Sequence, residues 1–260
     1  MTVEDSVQVG TVSVGIDGAV AVVSFGSGER YNALGTPDWR QLHSVVALLA
    51  DRGDLRAVVL RGRGGAFCSG SDLREWSTAE GADVADSFAV LERALQAIED
   101  LPVPTVAVVE GVATGAGFQL ALACDLQLVA RSARLGMPIA RLGLMVPATF
   151  ANRMALRIGP ARTKDLLYGG RLLDGAQAYG IGLVSTLVED GGTDAALAGL
   201  LASWMEGSAA SLRASKAAVG QGLRPVSDAG RRAPAGPGAD PQEFESRLHR
   251  FLNRHHPPRS

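Results

Sequence analysis

The sequence predicts an α/β fold, and two features indicate it. Short β-rich or apolar segments recur at strand length, beginning with Thr11–Ile16, Val20–Phe25 and Ala57–Arg61. Helical patterns with apolar residues three and four positions apart alternate with them. The repeated order of strand, strand and helix is typical of the α/β class.

The first elements are the most clearly marked. Asp17-Gly18 separates the first two strands and predicts the tight turn of a β-hairpin. A helix follows, in which Thr36 is placed to cap the first turn, Pro37 suits the first helical position and Asp38 suits the positive end of the helix dipole. Its apolar stripe consists of Trp39, Leu42, Val46 and Leu49.

The remaining elements follow from the same periodicities. A striped helix through Phe88, Leu91, Leu95 and Ile98 ends before Pro102 and Pro104. The further predicted strands are Thr105–Val109, Leu126–Ala130 and Leu183–Val188. The further predicted helices are Phe118–Cys124, Ala148–Ile158 with Gly159 as its stop, Ala161–Tyr168, Asp194–Glu206, Ala209–Gly220 and Gln242–Asn253. Pro225–Pro241, rich in Pro, Gly and Ala, predicts a flexible linker.

Composition narrows the function classes. The 260 residues are 47% hydrophobic and 20% charged, with a net charge of −2, as in a soluble globular protein. No apolar run approaches the roughly 18 residues of a membrane span, and the near-neutral charge argues against nucleic acid as the main partner. Two cysteines and an N-terminus without a signal pattern predict a reducing, cytoplasmic location.

Two glycine-bearing turns are the candidate sites. Gly62–Leu73 follows one strand, and Gly111–Gln119 follows another and opens a helix. Glycine lets backbone amides lie open toward a ligand, and amides at a helix start carry partial positive charge. Two such amides directed at one oxygen would form an oxyanion hole. A dinucleotide site is not expected, because Leu120 stands where the third glycine of that motif belongs.

Several motifs together resemble the enoyl-CoA hydratase/isomerase (crotonase) superfamily. They occur in the family's order and spacing over about 160 residues, and Phe251–Pro257 is similar to its closing segment. The matching stretches are Arg30-Tyr-Asn-Ala-Leu34, Gly65-Ala-Phe-Cys-Ser-Gly-Ser-Asp-Leu73, Gly111-Val-Ala-Thr-Gly-Ala-Gly-Phe-Gln-Leu-Ala-Leu-Ala-Cys-Asp125, Gly143-Leu-Met-Val-Pro147 and Gly180-Ile-Gly-Leu-Val184.

The resemblance implies a crotonase-like spiral of β-β-α turns with a helical C-terminal region. Residues 1–205 would form the spiral core domain, and residues 206–260 the trimerisation or lid region that contains the linker 225–241. A homotrimer or homohexamer acting on an acyl-CoA thioester is implied, with neither a membrane nor a nucleic acid as partner.

The resemblance also assigns residues. The backbone amides of Ser71 and Ala116 would bind the thioester oxygen, and Gln119 would stand beside the reacting carbons. No metal is implied, and no cofactor beyond the coenzyme A of the substrate. The residues implied in coenzyme A binding are Arg30, Ala33, Ala66, Cys68, Ser71, Asp72, Leu73, Arg74 and Ala116.

Two departures concern the reaction itself. Family hydratases carry glutamates where this chain has Gln119 and Ile139, and a third acidic position of some relatives is Pro147. A carboxamide and an alkyl group cannot transfer a proton at neutral pH. Hydration by two carboxylates is therefore not expected. The alternatives are decarboxylation of a β-carboxyacyl thioester and thioester binding without catalysis, on coenzyme A or on a carrier protein.

Overall fold

The computed structural model describes residues 5–78, 81–233, 238–240 and 242–255. Its centre is a seven-stranded sheet in the order β1-β2-β3-β4-β5-β7-β10, and a small sheet has the order β6-β8-β9. The strands are β1 Asp5–Val9, β2 Val12–Asp17, β3 Val20–Phe25, β4 Ala57–Gly62, β5 Thr105–Val109, β6 Val112–Thr114, β7 Leu126–Ala130, β8 Arg134–Gly136, β9 Leu173–Asp174 and β10 Thr186–Val188.

Helices surround the sheets, which confirms the predicted α/β class. None of the helices in the described part of the chain is both long enough and apolar enough to cross a bilayer. Three short 3₁₀ helices occur at Glu29–Asn32, Glu75–Thr78 and Ile139–Leu142. The α-helices are α1 Thr36–Ala50, α2 Gly81–Glu99, α3 Ala116–Ala123, α4 Ala148–Gly169, α5 Gly175–Gly180, α6 Thr193–Glu206, α7 Ala209–Arg232 and α8 Phe244–His255.

Strand pairing follows connection length. β1, β2 and β3 are joined by tight turns and pair antiparallel, and the predicted hairpin is confirmed. β3, β4, β5, β7 and β10 are separated by helices and pair in parallel. Helices cover both faces of this parallel part of the sheet. Both faces are therefore buried, which is why β4 is apolar at consecutive positions. Val58 and Leu60 belong to the main core with α1, α2 and α3, while Val59 packs toward Leu197 of α6.

Of three predicted boundaries, two are wrong and one, in α4, is right. Gly35, not Thr36, is the N-cap of α1, and the Asp38 carboxylate accepts a hydrogen bond from the Gly35 amide at 2.8 Å. The stop at Gly159 is confirmed: its φ of 76° and ψ of 165° are not helical, so it divides α4 into two helical parts, and Pro160 opens the second. The strand predicted to begin at Leu183 begins at Thr186.

The linker prediction for 225–241 is wrong over 225–232, since α7 continues through Pro225 to Arg232. Packing on α4 overrides the proline: the Asn152 side chain donates to the Val226 carbonyl at 3.3 Å, and Gly230 lies against Asn152. Residues 234–237 and 241 of the predicted linker lie outside the described residues. A domain boundary at 205 stays a prediction.

Besides its packing on α4, helix α7 bonds to the core through two cations. Lys216 Nζ donates to the Val103 carbonyl at 3.1 Å and to the Asp125 carboxylate at 2.8 Å. Arg213 donates to the Leu55 carbonyl at 2.8 Å. Among the described residues of α7, a single glycine is buried.

A buried arginine joins α4 to α2. The Arg153 guanidinium lies 2.7 Å from a Glu92 oxygen and 2.7 Å from a Glu99 oxygen, and its side chain is 7% exposed. Burial opposes the charge of Arg153, yet the hydrogen bonds that it donates to Glu92 and Glu99 raise its pKa above the ordinary value.

Candidate functional site

The 66–72 loop, which connects β4 to the next helical turn, runs alongside β6. The Phe67 amide donates to the Glu110 carbonyl at 2.9 Å, and the Cys68 amide donates to the Val112 carbonyl at 2.8 Å. The Thr114 amide returns a bond to the Cys68 carbonyl at 3.0 Å. These bonds hold the loop in a strand-like course against the small sheet.

Both neighbours of Ser71 are fixed by backbone hydrogen bonds to Leu34, whereas the Ser71 amide itself is not bonded in the described chain. The Leu34 amide donates to the Gly70 carbonyl at 2.9 Å, and the Asp72 amide donates to the Leu34 carbonyl at 2.9 Å. Within the described residues, the Ser71 N–H has no hydrogen-bond acceptor. Ser71 is partly exposed, so this donor is available to a ligand.

The second open amide begins α3. Gly115 precedes the helix with φ 55°, and its amide donates to the Gly136 carbonyl at 2.9 Å. Ala116 is the first helical residue, so its N–H has no partner within the helix. No acceptor for it occurs elsewhere in the described chain.

The two turns are in direct contact. A Cβ added to Gly70 would lie 3.2 Å from the Ala116 nitrogen and 2.8 Å from the Thr114 carbonyl oxygen. The Ser71 amide, on the peptide that follows Gly70, therefore neighbours the Ala116 amide. By contrast, a Cβ on Gly115 would meet no atom within 4 Å. There is open space beside the second turn.

Gln119 and its surroundings are buried. The Gln119 side chain is 0% exposed, and its Nε2 donates to Met137 Sδ at 3.3 Å and to the Phe150 carbonyl at 3.4 Å. Its Oε1 has no partner in the described part of the chain. Ile139 is also buried, and Pro147 is the N-cap of α4. Gln119 and Ile139, which stand where family hydratases carry glutamates, therefore have no ionisable group.

The residues implied in coenzyme A binding divide into two groups. Arg30 and Asp72 form an ion pair at the loop surface, Arg74 is exposed, and Leu73 and Ala33 are partly buried. Ser71 is also partly exposed. The second group, Ala66, Cys68 and Ala116, is buried, and burial raises the pKa of the Cys68 thiol to about 12. A ligand would meet this second group through the backbone only.

Nearby carboxylates already have partners. Asp72 is paired with Arg30. Glu75 accepts a hydrogen bond from the Thr36 amide at 2.8 Å, and Glu110 accepts one from the Thr193 hydroxyl at 2.7 Å. None of the three is presented as an open general base.

His43 lies elsewhere. It lines a surface cleft of about 280 Å³ between α1 and α2 with Arg40, Ser44, Val90 and Arg93. The structure therefore does not bring His43 to the two amides.

Sequence reasoning missed the part played by Asn32. It lies inside the Arg30–Leu34 motif, is 1% exposed, and donates through Nδ2 to the carbonyls of Arg63 at 2.7 Å and Ala66 at 2.8 Å. An asparagine inside the family motif, in a segment bounded by Gly28 and Gly35, was the available signal.

Comparison with known proteins decides the family. The profile of the enoyl-CoA hydratase/isomerase family matches residues 15–257. The chain belongs to this family. The predicted membership and the crotonase-like fold with its helical C-terminal region are thereby confirmed.

Two curated relatives carry names from the same family. A Mycobacterium bovis protein named "Probable enoyl-CoA hydratase echA8" is 32% identical over 223 residues, covering 82% of this chain and 85% of that protein. The mouse mitochondrial methylglutaconyl-CoA hydratase is 32% identical over 171 residues, covering 65% of this chain. The matched part spans only 54% of the mouse protein.

Solved structures share the fold. An enoyl-CoA hydratase/carnithine racemase from Magnetospirillum magneticum superposes with a TM-score of 0.80 at 27% identity, covering 95% of this chain and 89% of that one. The enoyl-CoA hydratase of Bacillus halodurans gives a TM-score of 0.81 at 21% identity, covering 92% of this chain and 99% of that one. At that lower identity the likeness concerns the fold alone.

Proposed function

We propose that this chain binds an acyl-CoA thioester and stabilises its enolate through the amides of Ser71 and Ala116. The observation that carries the proposal is the pair of unpartnered N–H groups on two touching turns. An enolate oxygen gains negative charge, and each preorganised donor contributes about 3 kcal/mol to stabilising it. The Ala116 donor adds the positive end of the α3 dipole.

The mouth of the site suits the phosphate groups of coenzyme A. Arg30, which is paired with Asp72, and Arg74 are both exposed on the segments that flank Ser71. Guanidinium groups bind phosphates through paired, charge-assisted hydrogen bonds. The names of the relatives in the family refer to CoA esters, which supports the same substrate class.

The reaction we propose does not use two carboxylates. Gln119 and Ile139 occupy the predicted acid positions, and both are buried. A carboxamide can orient a group by hydrogen bonding, but it cannot take up its proton. We therefore expect low hydration of crotonyl-CoA.

Decarboxylation is the second candidate, favoured by the buried, neutral surroundings of Gln119. In a β-carboxyacyl thioester the bond between the α-carbon and the carboxylate breaks. Carbon dioxide leaves, and the electron pair stays as the enolate that the two amides hold. A proton from water then completes the product. No base is needed to form the enolate, and a desolvated carboxylate is destabilised before the bond breaks.

The test is a mass-spectrometric screen of acyl-CoA substrates with wild type, Gln119→Glu, Gln119→Ala and Gln127→Glu. Gln127, in β7, is a matched control, because it is 1% exposed and its side chain is fully bonded. Its Nε2 donates to the Ala121 and Cys124 carbonyls at 3.1 and 2.9 Å, and its Oε1 accepts from the Ser185 hydroxyl at 3.0 Å.

Each outcome is distinct. Release of carbon dioxide from malonyl-CoA or methylmalonyl-CoA by wild type supports decarboxylation. Hydration gained in Gln119→Glu alone shows that only the acid was missing. Clear hydration that survives in Gln119→Ala contradicts our assignment of the site. Coenzyme A binding without turnover of any thioester would identify a non-catalytic binder.

A further inference from the structure

We propose that Asn32 is a positioning residue that sets the direction of the Ser71 amide, an inference that rests on the proposed function. It touches neither the amide nor the open space beside Gly115. Its effect would pass through the 66–72 loop, whose course determines where the Ser71 N–H points.

The carboxamide of Asn32 joins three backbone carbonyls of one loop. Nδ2 lies 2.7 Å from the Arg63 oxygen, 2.8 Å from the Ala66 oxygen and 3.3 Å from the Phe67 oxygen. Oδ1 accepts a hydrogen bond from the Gly28 amide at 2.8 Å. Every polar atom of the side chain is therefore used, and all its partners are main-chain groups.

Two glycines make the room for this side chain. A Cβ on Gly26 would lie 2.2 Å from Asn32 Oδ1, and one on Gly62 would lie 2.8 Å from Nδ2. Gly26 follows Phe25, the last residue of β3, and Phe25 is paired with Gly62 of the parallel strand β4. The carboxamide thus occupies a slot at the carboxyl ends of the two strands that precede the site.

The backbone around Asn32 holds the loop directly. The Ser69 amide donates to the Tyr31 carbonyl at 2.8 Å, and Cys68 Sγ lies 3.2 Å from the Asn32 carbonyl oxygen. Two residues later, Leu34 bonds to both neighbours of Ser71. Asn32 thus belongs to the segment to which the loop is fixed.

This segment has an uncommon conformation. Arg30, Tyr31 and Asn32 have φ values of 47°, 52° and 57°, all in the left-handed region. L-residues other than glycine disfavour that region, and asparagine and aspartate tolerate it best. The side-chain bonds of Asn32 compensate for a strained turn whose carbonyls face the loop.

The test compares Asn32→Asp with Asn152→Asp. Both exchanges keep side-chain shape and replace a donor by an oxygen that faces a carbonyl. Asn152 serves as the control because its Nδ2 bonds to Val226, away from the site. Asn32→Gly, which tolerates the left-handed backbone and removes the carboxamide, serves if Asn32→Asp does not fold.

The first readout is amide hydrogen exchange, which does not depend on the proposed function. In Asn32→Asp we expect the Phe67, Cys68 and Ser69 amides to exchange about tenfold faster or more, with β5 amides changed by less than about twofold. Asn152→Asp should leave the loop unchanged. Equal acceleration in β5 would show a general loss of stability and would overturn the inference.

The second readout is the absorption of bound cinnamoyl-CoA, whose conjugated thioester shifts to the red when its carbonyl oxygen accepts hydrogen bonds. We expect wild type and Asn152→Asp to show the shift, and Asn32→Asp to lose most of it while its affinity for free coenzyme A stays within about twofold. A full shift in folded Asn32 variants would overturn the inference. If wild type gives no shift, the proposed function fails, and hydrogen exchange alone decides the role of Asn32.

Discussion

The α-carbon of Gly117 lies so close to the Cys68 carbonyl that an added Cβ would stand 2.1 Å from its oxygen. From the sequence, glycine in this turn is expected to leave backbone amides open toward a ligand. The structure shows a different reason at this position, since the first turn of α3 presses against the 66–72 loop. The contact keeps the two open amides beside each other.

Gly117→Ala should therefore damage both stability and binding. The Cβ meets backbone, which cannot rotate away, so we expect a loss of at least about 2 kcal/mol in the free energy of unfolding. Gly199→Ala is the control, because its Cβ would meet nothing within 4 Å on an exposed helix. It should gain about 0.5 to 1 kcal/mol. Equal urea midpoints for the two variants would contradict this account.

Gln119→Leu should stabilise the fold or leave its stability nearly unchanged. The exchange removes Oε1, a buried acceptor without a partner in the described residues, and a buried unsatisfied group costs about 1 to 3 kcal/mol. Gln127→Leu should instead destabilise, because it removes three hydrogen bonds of the buried side chain, two to the Ala121 and Cys124 carbonyls and one from the Ser185 hydroxyl. Thermal unfolding of both variants checks the contrast. Loss of turnover in a more stable Gln119→Leu would mark a residue kept for function.

The cysteines should resist alkylation in the folded chain. Burial raises the pKa of Cys68 to about 12, and it also raises the pKa of Cys124. The unfolded thiol binds fewer protons than the folded one above its ordinary pKa of 9.0, so stability falls as pH rises from there toward 12. In this pH range the contribution of Cys68 to the free energy of unfolding falls by up to about 1.4 kcal/mol per pH unit. The free energy of unfolding of wild type should therefore exceed that of Cys68→Ala by less at pH 11 than at pH 9. A difference that stays constant between pH 9 and 11 would contradict this prediction.

Arg153→Met should cost about 3 kcal/mol, because it leaves Glu92 and Glu99 without their shared cation in a largely buried position. Arg247→Met is the matched control. Its pair with Glu243, at 2.7 Å, is exposed on one face of α8, so its loss should cost less than about 0.5 kcal/mol. Chemical denaturation of both variants tests the prediction, and similar losses would contradict it.

Much of the fold follows from the sequence because its main elements are long enough to show a period. β5 and β7 agree with the prediction at both ends. β6, β8 and β9 have three, three and two residues, too few for any alternation to be visible. The extension of α7 beyond Pro225 depends on contacts with α4, which local sequence does not contain.

The site divides in the same way. Motif positions located Ser71, Ala116 and Gln119, and the structure adds that the first two amides are open and that Gln119 is buried. The motif drew attention to Asn32, but the partners of its Nδ2 could not be predicted, because they are carbonyls more than 30 residues away. Every residue has a backbone carbonyl, so the residue type does not show which carbonyls accept a hydrogen bond.

The attachment of α7 has a consequence for solution behaviour. Contacts made by Lys216 and Arg213 are electrostatic, and added salt weakens partly exposed ionic contacts more than it weakens packed apolar ones. Rising ionic strength should therefore loosen the C-terminal region before the sheet is affected. Protease cleavage near residue 208 in concentrated salt, with an intact N-terminal fragment, would be the visible sign.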